Sequence, residues 1–222
     1  MTAAPADHLR ITRGQTDRGL TLSPPQVEDG AALWRLARDS RVLDLNSSYS
    51  YLLWCRDYAA TSVVAREPDG SPAGFITGYL RPEQPHTLLV WQVAVDHGHR
   101  GRGVAAAMLD GLVARTGQEL GVTGVETTIT PGNTASERLF RSFAERHRAP
   151  VAREVLFDTE VFPEGDHQPE VLYRIGPIPG TDHGDRSDHG DRGGDARGGR
   201  SAAGHDHAAP VPASAARPAA DR

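Results

Sequence analysis

The run W-Q-V-A-V-D-H-G-H-R-G-R-G-V-A-A, Trp91 to Ala106, decides how this chain reads. An apolar strand, Leu88 to Val95, ends in an acid; a short polar loop follows, and Arg100-Gly101-Arg102-Gly103 opens directly onto a helix. That helix, expected over 103–116, carries apolar residues in pairs (Val104 and Ala105, Met108 and Leu109, Leu112 and Val113), the spacing of one buried face. A helix's first turn has backbone N–H groups without partners and a positive dipole end. Glycines at 101 and 103 let that backbone approach a ligand, and Arg100 and Arg102 add positive charge. The construction suits a pyrophosphate, so a phosphate-bearing cofactor is expected.

Upstream of this run, a polar, aperiodic leader over 1–18 precedes a short strand, Leu20 to Ser23, stopped by Pro24-Pro25. Glu28 and Asp29 sit where a helix start wants acids, and Ala31 to Arg38 reads as an amphipathic helix. A polar link, Asp44 to Tyr49, leads to a second helix expected over Ser50 to Tyr58. Thr61 to Arg66 and Gly74 to Leu80 read as a hairpin about Pro68-Asp69-Gly70, and Pro82 to Pro85 turns the chain into the central strand. Downstream, Val122 to Thr130 alternates as a strand, Asn133 caps a helix with Ala135, Leu139, Phe140 and Phe143 on one face, and Val151 to Phe157 and Glu170 to Ile175 are strands. The order is β-α-α-β-β-β-α-β-α-β-β, a mixed α/β domain over 19–176. From 177 to 222 Gly, Asp, Arg, His, Pro and Ala dominate, a composition too poor in apolar residues to offset ordering entropy, and the tail is expected to be disordered. Its His205 and His207 suggest no designed metal site.

The net charge of -5 gives no reason to expect nucleic acid or an anionic membrane as partner. Its 24 basic residues are all Arg. The single cysteine, Cys55, excludes an internal disulfide and fits a reducing compartment. With no membrane-length apolar run and no signal-peptide core, a cytoplasmic protein is expected.

Two patterns compete for the glycine turn. Gly101-x-Gly103-x-x-Ala106 fits a loose dinucleotide fingerprint, with Glu126 near the ribose-binding spacing, but Asp96 to Arg100 intervene between strand and first glycine. The other pattern, R/Q-x-x-G-x-G/A, is met by Arg100, Gly103 and Ala105. With the V-A-V strand before it and Asn133, Ser136, Leu139 and Phe140 after it, the chain resembles the GNAT superfamily of acetyl-CoA-dependent N-acetyltransferases. At finer grain, D-L-N-S-S-Y-S-Y-L-L-W-C-R-D, V-W-Q-V-A-V-D, E-T-T-I-T-P-x-N and P-E-V-L-Y-R-I are similar to the L-2,4-diaminobutyrate acetyltransferase family of ectoine synthesis, over roughly residues 20 to 176.

The resemblance implies a GNAT fold with a central mixed sheet flanked by helices, acetyl-CoA as donor, no metal, and acetylation of the 4-amino group of L-2,4-diaminobutyrate in compatible-solute synthesis under osmotic stress. It implies backbone contacts to the pantetheine arm at Val93 and Val95, and an oxyanion donor near Val95. Phosphate contacts fall on Arg100, Gly101, Arg102, Gly103 and Val104, with Asn133 touching the cofactor, capping its helix, or both. It also suggests a homodimer.

A diamine amino acid calls for acids in its pocket, and Asp44, Glu126 and Glu170 each stand inside a quoted motif. Freeing a side-chain amine of its proton at neutral pH costs roughly 4 kcal/mol, so a relay to solvent is needed. Glu126 is the expected relay, with His167 a second acceptor; Asp44 and Glu170 are expected to bind ammonium, Tyr49 to hydrogen-bond, and Trp91 to wall the pocket. Trp91 in the core, Glu126 as a solvated strand residue, and Asp44 and Tyr49 as a helix entry are the structural alternatives. Many GNAT enzymes carry a tyrosine where this chain has Phe140, so Tyr49 or Tyr173 protonates the thiolate, or it leaves unassisted. Cys55 lacks an adjacent base, which argues against a covalent acetyl-enzyme. Another amine acceptor, or an acetyl-CoA-binding module without catalysis, are the competing functions.

Overall fold

The structure is a computed structural model that describes residues 14–15, 19–163 and 167–179. By contacts the chain divides into Met1–Gly184 and Asp185–Arg222, and every described residue belongs to the first unit. The tail expected to be disordered from 177 begins later than that, because Ile178 is buried in the core and its amide donates to the Thr123 carbonyl at 2.8 Å; the tail beyond 179, and the leader apart from 14–15, lie outside the described residues.

The elements run β1 (Gly14–Gln15), β2 (Thr21–Ser23), α1 (Gly30–Ser40), α2 (Ser48–Asp57), β3 (Val63–Arg66), β4 (Pro72–Arg81), β5 (Gln84–Val95), α3 (Val104–Leu120), β6 (Gly124–Ile129), α4 (Thr134–His147), β7 (Val151–Phe157) and β8 (Glu170–Ile175). Each element expected from the pattern is present in the expected order. The differences are local. The short β1 pairs with β2 inside the stretch read as leader. Helix α2 starts two residues early because the Ser47 side chain accepts from the Ser50 amide and caps it. The turn read over 82–85 is tighter, Arg81 pairing with Gln84. Helix α3 runs past Gly117 to Leu120 because burial of its face outweighs the poor helix propensity of glycine, and it stops at Gly121 in left-handed conformation.

The eight strands form one sheet in the order β1-β2-β3-β4-β5-β6-β8-β7. All neighbours are antiparallel except β5 and β6. Helices α3 and α4 cover one face, burying Met108, Leu109, Leu112, Phe140 and Phe143 against Ile76, Leu88 and Val90. Helices α1 and α2 cover the other, packing Leu33, Ala37, Tyr51 and Cys55 on Val64, Phe75 and Ala94. At the start of α1, Arg66 of β3 clamps the Asp29 carboxylate at 2.6 and 2.8 Å. Burial alone pushes that carboxyl up, but the Arg66 guanidinium and the Gln26 amide outweigh it and hold Asp29 below the usual carboxylate range.

Two irregularities open the middle of the sheet. Thr77 pairs with Gln92 but Gly78 with Val90, so Trp91 is an extra residue on β5, a bulge. An inserted residue reverses which side chains face which way. Leu88 and Val90 before the bulge and Val93 and Val95 after it therefore all pack toward α3, while Gln92 and Ala94 turn toward α1 and α2. The second irregularity is between β5 and β6. Their parallel pairing covers only Thr87–Val90 against Gly124–Thr127, and beyond Val90 the strands part.

Candidate active site

Past the bulge, β5 borders a cavity of about 660 Å³. Val93, Ala94 and Val95 form one wall, the glycine turn and Val104 to Ala106 another, and α4 residues from Asn133 to Arg146 a third. Gly101 and Gly103 have φ of +69 and +74, conformations that side chains rarely adopt, and a Cβ at either would point into open space. No side chain caps α3, so its first amides keep their hydrogen-bonding capacity toward the cavity. The loop before it is braced, since Asp96 accepts from the Gly98 amide and lies 3.4 Å from His99, which faces Glu67 at 3.6 Å. The dimensions and donors fit a phosphate-bearing pantetheine cofactor.

Of the residues expected to hold that cofactor, Val93, Val95, Arg100, Gly101, Gly103, Val104 and Asn133 line the cavity and Arg102 does not. The Arg100 side chain reaches back to donate to the Val95 carbonyl at 3.1 Å, which occupies that acceptor and does not involve the Val95 amide. Asn133 caps α4, its Oδ1 accepting from the Ser136 amide at 3.1 Å, and still has its NH2 group to offer the cavity. Arg138, Ser142 and Arg146 also line it and were not foreseen; their i, i+4 spacing on α4 is the sequence signal that marks them.

The acceptor residues are assembled less completely. His167 stacks on Phe162 with 3.8 Å between ring centres, and its Nε2 stands 4.0 Å from the Asp44 carboxylate. Its Nδ1 lies 2.6 Å from the Gln168 carbonyl, which can only accept, so Nδ1 carries a hydrogen and Nε2 is the nitrogen turned to Asp44. The Asp44 side chain is 94% exposed. Trp91 is 39% exposed rather than core, because the bulge throws it outward, and it stacks on Trp54 at 4.7 Å. Tyr49 is 65% exposed on the first turn of α2, and Glu170 opens β8, half-buried; among the described residues neither has a side-chain hydrogen bond or salt bridge.

Glu126 is neither open nor solvated. It is 2% exposed, and its two oxygens bind Arg81 at 3.0 Å and Arg174 at 2.9 Å. Arg174 in turn pairs with Glu154 at 2.8 Å. With one oxygen committed to each guanidinium and almost no exposed surface, this carboxylate is not open to an incoming amine. Phe140 is buried in the core beneath α4. The Cys55 thiol, buried on α2, is pushed up to about 11, first by desolvation and then by the charge of Asp29, which leaves no thiolate at neutral pH. Among the described residues no cluster of His, Cys, Asp or Glu can hold a metal ion, and no helix is long and apolar enough to cross a membrane.

Comparison with known proteins agrees with this geometry. The acetyltransferase (GNAT) family matches residues 31–144. L-2,4-diaminobutyric acid acetyltransferase of Streptomyces avermitilis is 66% identical over 178 residues, covering 80% of this chain and 99% of that protein. The protein of that name from Marinococcus halophilus is 42% identical over 167 residues, covering 75% of this chain and 95% of its own. Among solved structures, diaminobutyrate acetyltransferase EctA from Paenibacillus lautus, in complex with L-2,4-diaminobutyric acid and coenzyme A, superposes with a TM-score of 0.68 at 40% identity, over 74% of this chain and 97% of that one. By the family match over half of its length and by its identity to these relatives, the chain belongs to the acetyltransferase (GNAT) family and, within it, to the L-2,4-diaminobutyric acid acetyltransferases.

Proposed function

We propose that the chain transfers the acetyl group of acetyl-CoA to the 4-amino nitrogen of L-2,4-diaminobutyrate, by direct attack of the amine on the thioester. The observation that carries this reading is the pairing of an open cofactor cleft with an acid and an imidazole, Asp44 and His167, held 4.0 Å apart. The relatives named for the same reaction support it.

The amides at the start of α3, with Arg100 and Asn133, hold the cofactor's phosphates and arm, and the Val95 amide stabilises the oxyanion. Asp44 and Glu170 attract the substrate's ammonium groups, and Tyr49 and Trp91 border the acceptor. His167 Nε2 takes the amine proton, and the imidazolium so formed is stabilised by Asp44. This moves the relay from Glu126, whose double ion pair suits it to fixing Arg81 and Arg174 at the floor of the sheet. Tyr49, the exposed phenol of the set, is assigned as proton donor to the leaving thiolate, since Phe140 cannot serve.

The catalytic unit is residues 19–176, and the reaction belongs to cytoplasmic compatible-solute synthesis under osmotic stress. Two copies associate through β7, an edge strand on which Val151, Val155, Leu156 and Phe157 are all exposed. A free-thiol release assay with diaminobutyrate, followed by mass identification of the acetylated nitrogen, tests the assignment. Equal rates with lysine or a polyamine would widen the acceptor class, and acetyl-CoA binding without thiol release from any amine would make the chain a binding module.

A further inference from the structure

Asp44 sits in the irregular segment 41–47 between α1 and α2. At the near end Ser40 Oγ accepts from the amides of Val42 and Leu43 at 3.4 and 3.3 Å, and at the far end Ser47 caps α2. Between these points the Asp44 carbonyl accepts from Asn46 Nδ2 at 3.3 Å and from Gln92 Nε2 at 3.0 Å. Asn46 moves with the loop. Gln92 belongs to the sheet.

The Gln92 side chain is held at both ends. It is 4% exposed, and its Oε1 accepts from the Tyr51 hydroxyl at 3.0 Å. Burial raises the Tyr51 phenol above its ordinary value, against the opposing hydrogen bonds of Gln92 and Asn46, so it stays a donor through the neutral range. With Oε1 committed to Tyr51, the NH2 end of the same planar amide can only point to the loop. Gln92 reaches this face because Trp91 is inserted before it; without the bulge it would point toward α3.

We propose that Gln92 is a positioning residue for the acceptor, its carboxamide splinting the Asp44 loop to the bulged strand that borders the acetyl-transfer cleft. The splint fixes how far the Asp44 carboxylate stands from the reacting thioester, and so selects the chain length of the diamine. The inference rests on the acceptor assignment made above and deepens it. It accounts for a buried, doubly bonded glutamine that contacts neither cofactor cavity nor solvent.

Steady-state kinetics with acetyl-CoA and 2,3-diaminopropionate, 2,4-diaminobutyrate and ornithine test it in wild type, Gln92→Leu, Gln92→Glu and Tyr51→Phe. Gln92→Leu is expected to raise KM for diaminobutyrate about 10-fold, the loss of one buried hydrogen bond and the order it imposes. It should also erode the preference over ornithine and raise KM for acetyl-CoA by less than about threefold, since Gln92 itself is no part of the cofactor cavity and only Val42 and Leu43 of the loop border it. Gln92→Glu keeps the acceptor for Tyr51 but, ionised, cannot donate to the Asp44 carbonyl, so it should do as much harm. Tyr51→Phe should cost about 2- to 5-fold, since the amide remains but is free to turn. A lower melting temperature with KM and acceptor preference unchanged would overturn the proposal, leaving Gln92 a support of the fold alone, and so would an equal rise in KM for both substrates. If Gln92→Leu fails to fold, Gln92→Glu and Tyr51→Phe decide between the same outcomes. A wild type silent on all three acceptors sinks the acceptor assignment and this inference together, whereas an active wild type with unaltered variants sinks only this one.

Discussion

The two sides of the opening between β5 and β6 are built by different means. On the cofactor side the main donors are backbone amides of one continuous stretch, 91 to 106, whose conformation is set by two left-handed glycines and an uncapped helix, with Asn133 and α4 closing the cavity beside them. On the acceptor side the groups proposed are side chains from five separate places: Asp44 in a loop, Tyr49 on α2, Trp91 on a bulge, His167 before β8 and Glu170 at its start. The first site is local and preformed. The second exists only when the loop, helix and two strands are docked, and its leading members are exposed, Asp44 at 94% and Tyr49 at 65%. Affinity for the cofactor therefore depends on backbone geometry, and selection of the acceptor depends on how firmly a few loops are tied down.

The sharpest way to break this contrast is at the backbone. Gly103→Val places a β-branched residue at φ +74, a conformation costing ~1–2 kcal/mol for a side chain, and fills open space at the cavity wall that the phosphates would occupy. Calorimetry should find coenzyme A affinity reduced at least about 100-fold, the combined loss of strained geometry and phosphate approach. Asp44→Asn attacks the other side. It should lower kcat/KM for diaminobutyrate by about 50-fold, the value of a charged hydrogen bond, while acetyl-CoA binding stays unchanged. If acetyl-CoA affinity fell in parallel, the two sides would not be independent.

Glu126→Gln asks whether the carboxylate between the two sides is structural. It leaves Arg81 and Arg174 without their shared counter-ion, but both are partly solvated, so about 2 kcal/mol of stability should be lost, below the cost of breaking a fully buried pair. Thermal unfolding reads this as a fall of about 4–8 °C. A loss of activity with unaltered melting would restore Glu126 as the proton relay.

Asp29→Asn gives the smallest change. Because the folded carboxyl lies below its unfolded value, its contribution is present above about pH 4 and is lost as pH falls through the lower folded value. Wild-type stability should therefore drop on acidification through that window. The variant should start about 1 kcal/mol lower at pH 7 and show a shallower fall, measured by melting temperature against pH. Since Asp29 anchors the start of α1, which leads into the Asp44 loop, the acid loss should register on the acceptor side first.

Much of this was legible in the chain. The strand, turn and helix of 88–116 declared themselves because their signals are short-range: glycine conformations, apolar pairing and basic residues within one stretch. For the same reason Asn133 was recognisable as a cap. Trp91 was harder, since regular alternation has no place for an inserted residue and a buried strand position was as good a reading. The surroundings of Glu126 were hidden for a related reason. Its ion pairs come from residues 45 and 48 positions away in sequence, and no local signal announces them. The insertion of β8 between β6 and β7 is likewise invisible in the order of strands.

Sequence alone determined the elements, the cofactor turn and the kind of chemistry, because each follows from neighbours a few residues apart. Tertiary structure decided what those elements enclose: which face Gln92 takes after the bulge, which carboxylate is neutralised by arginines, and which imidazole nitrogen meets Asp44. These are matters of register and distance between segments remote in the chain. Only packing the helices on both faces of one sheet brings such segments together, and so only the folded structure distinguishes a buried ion pair from an open proton acceptor.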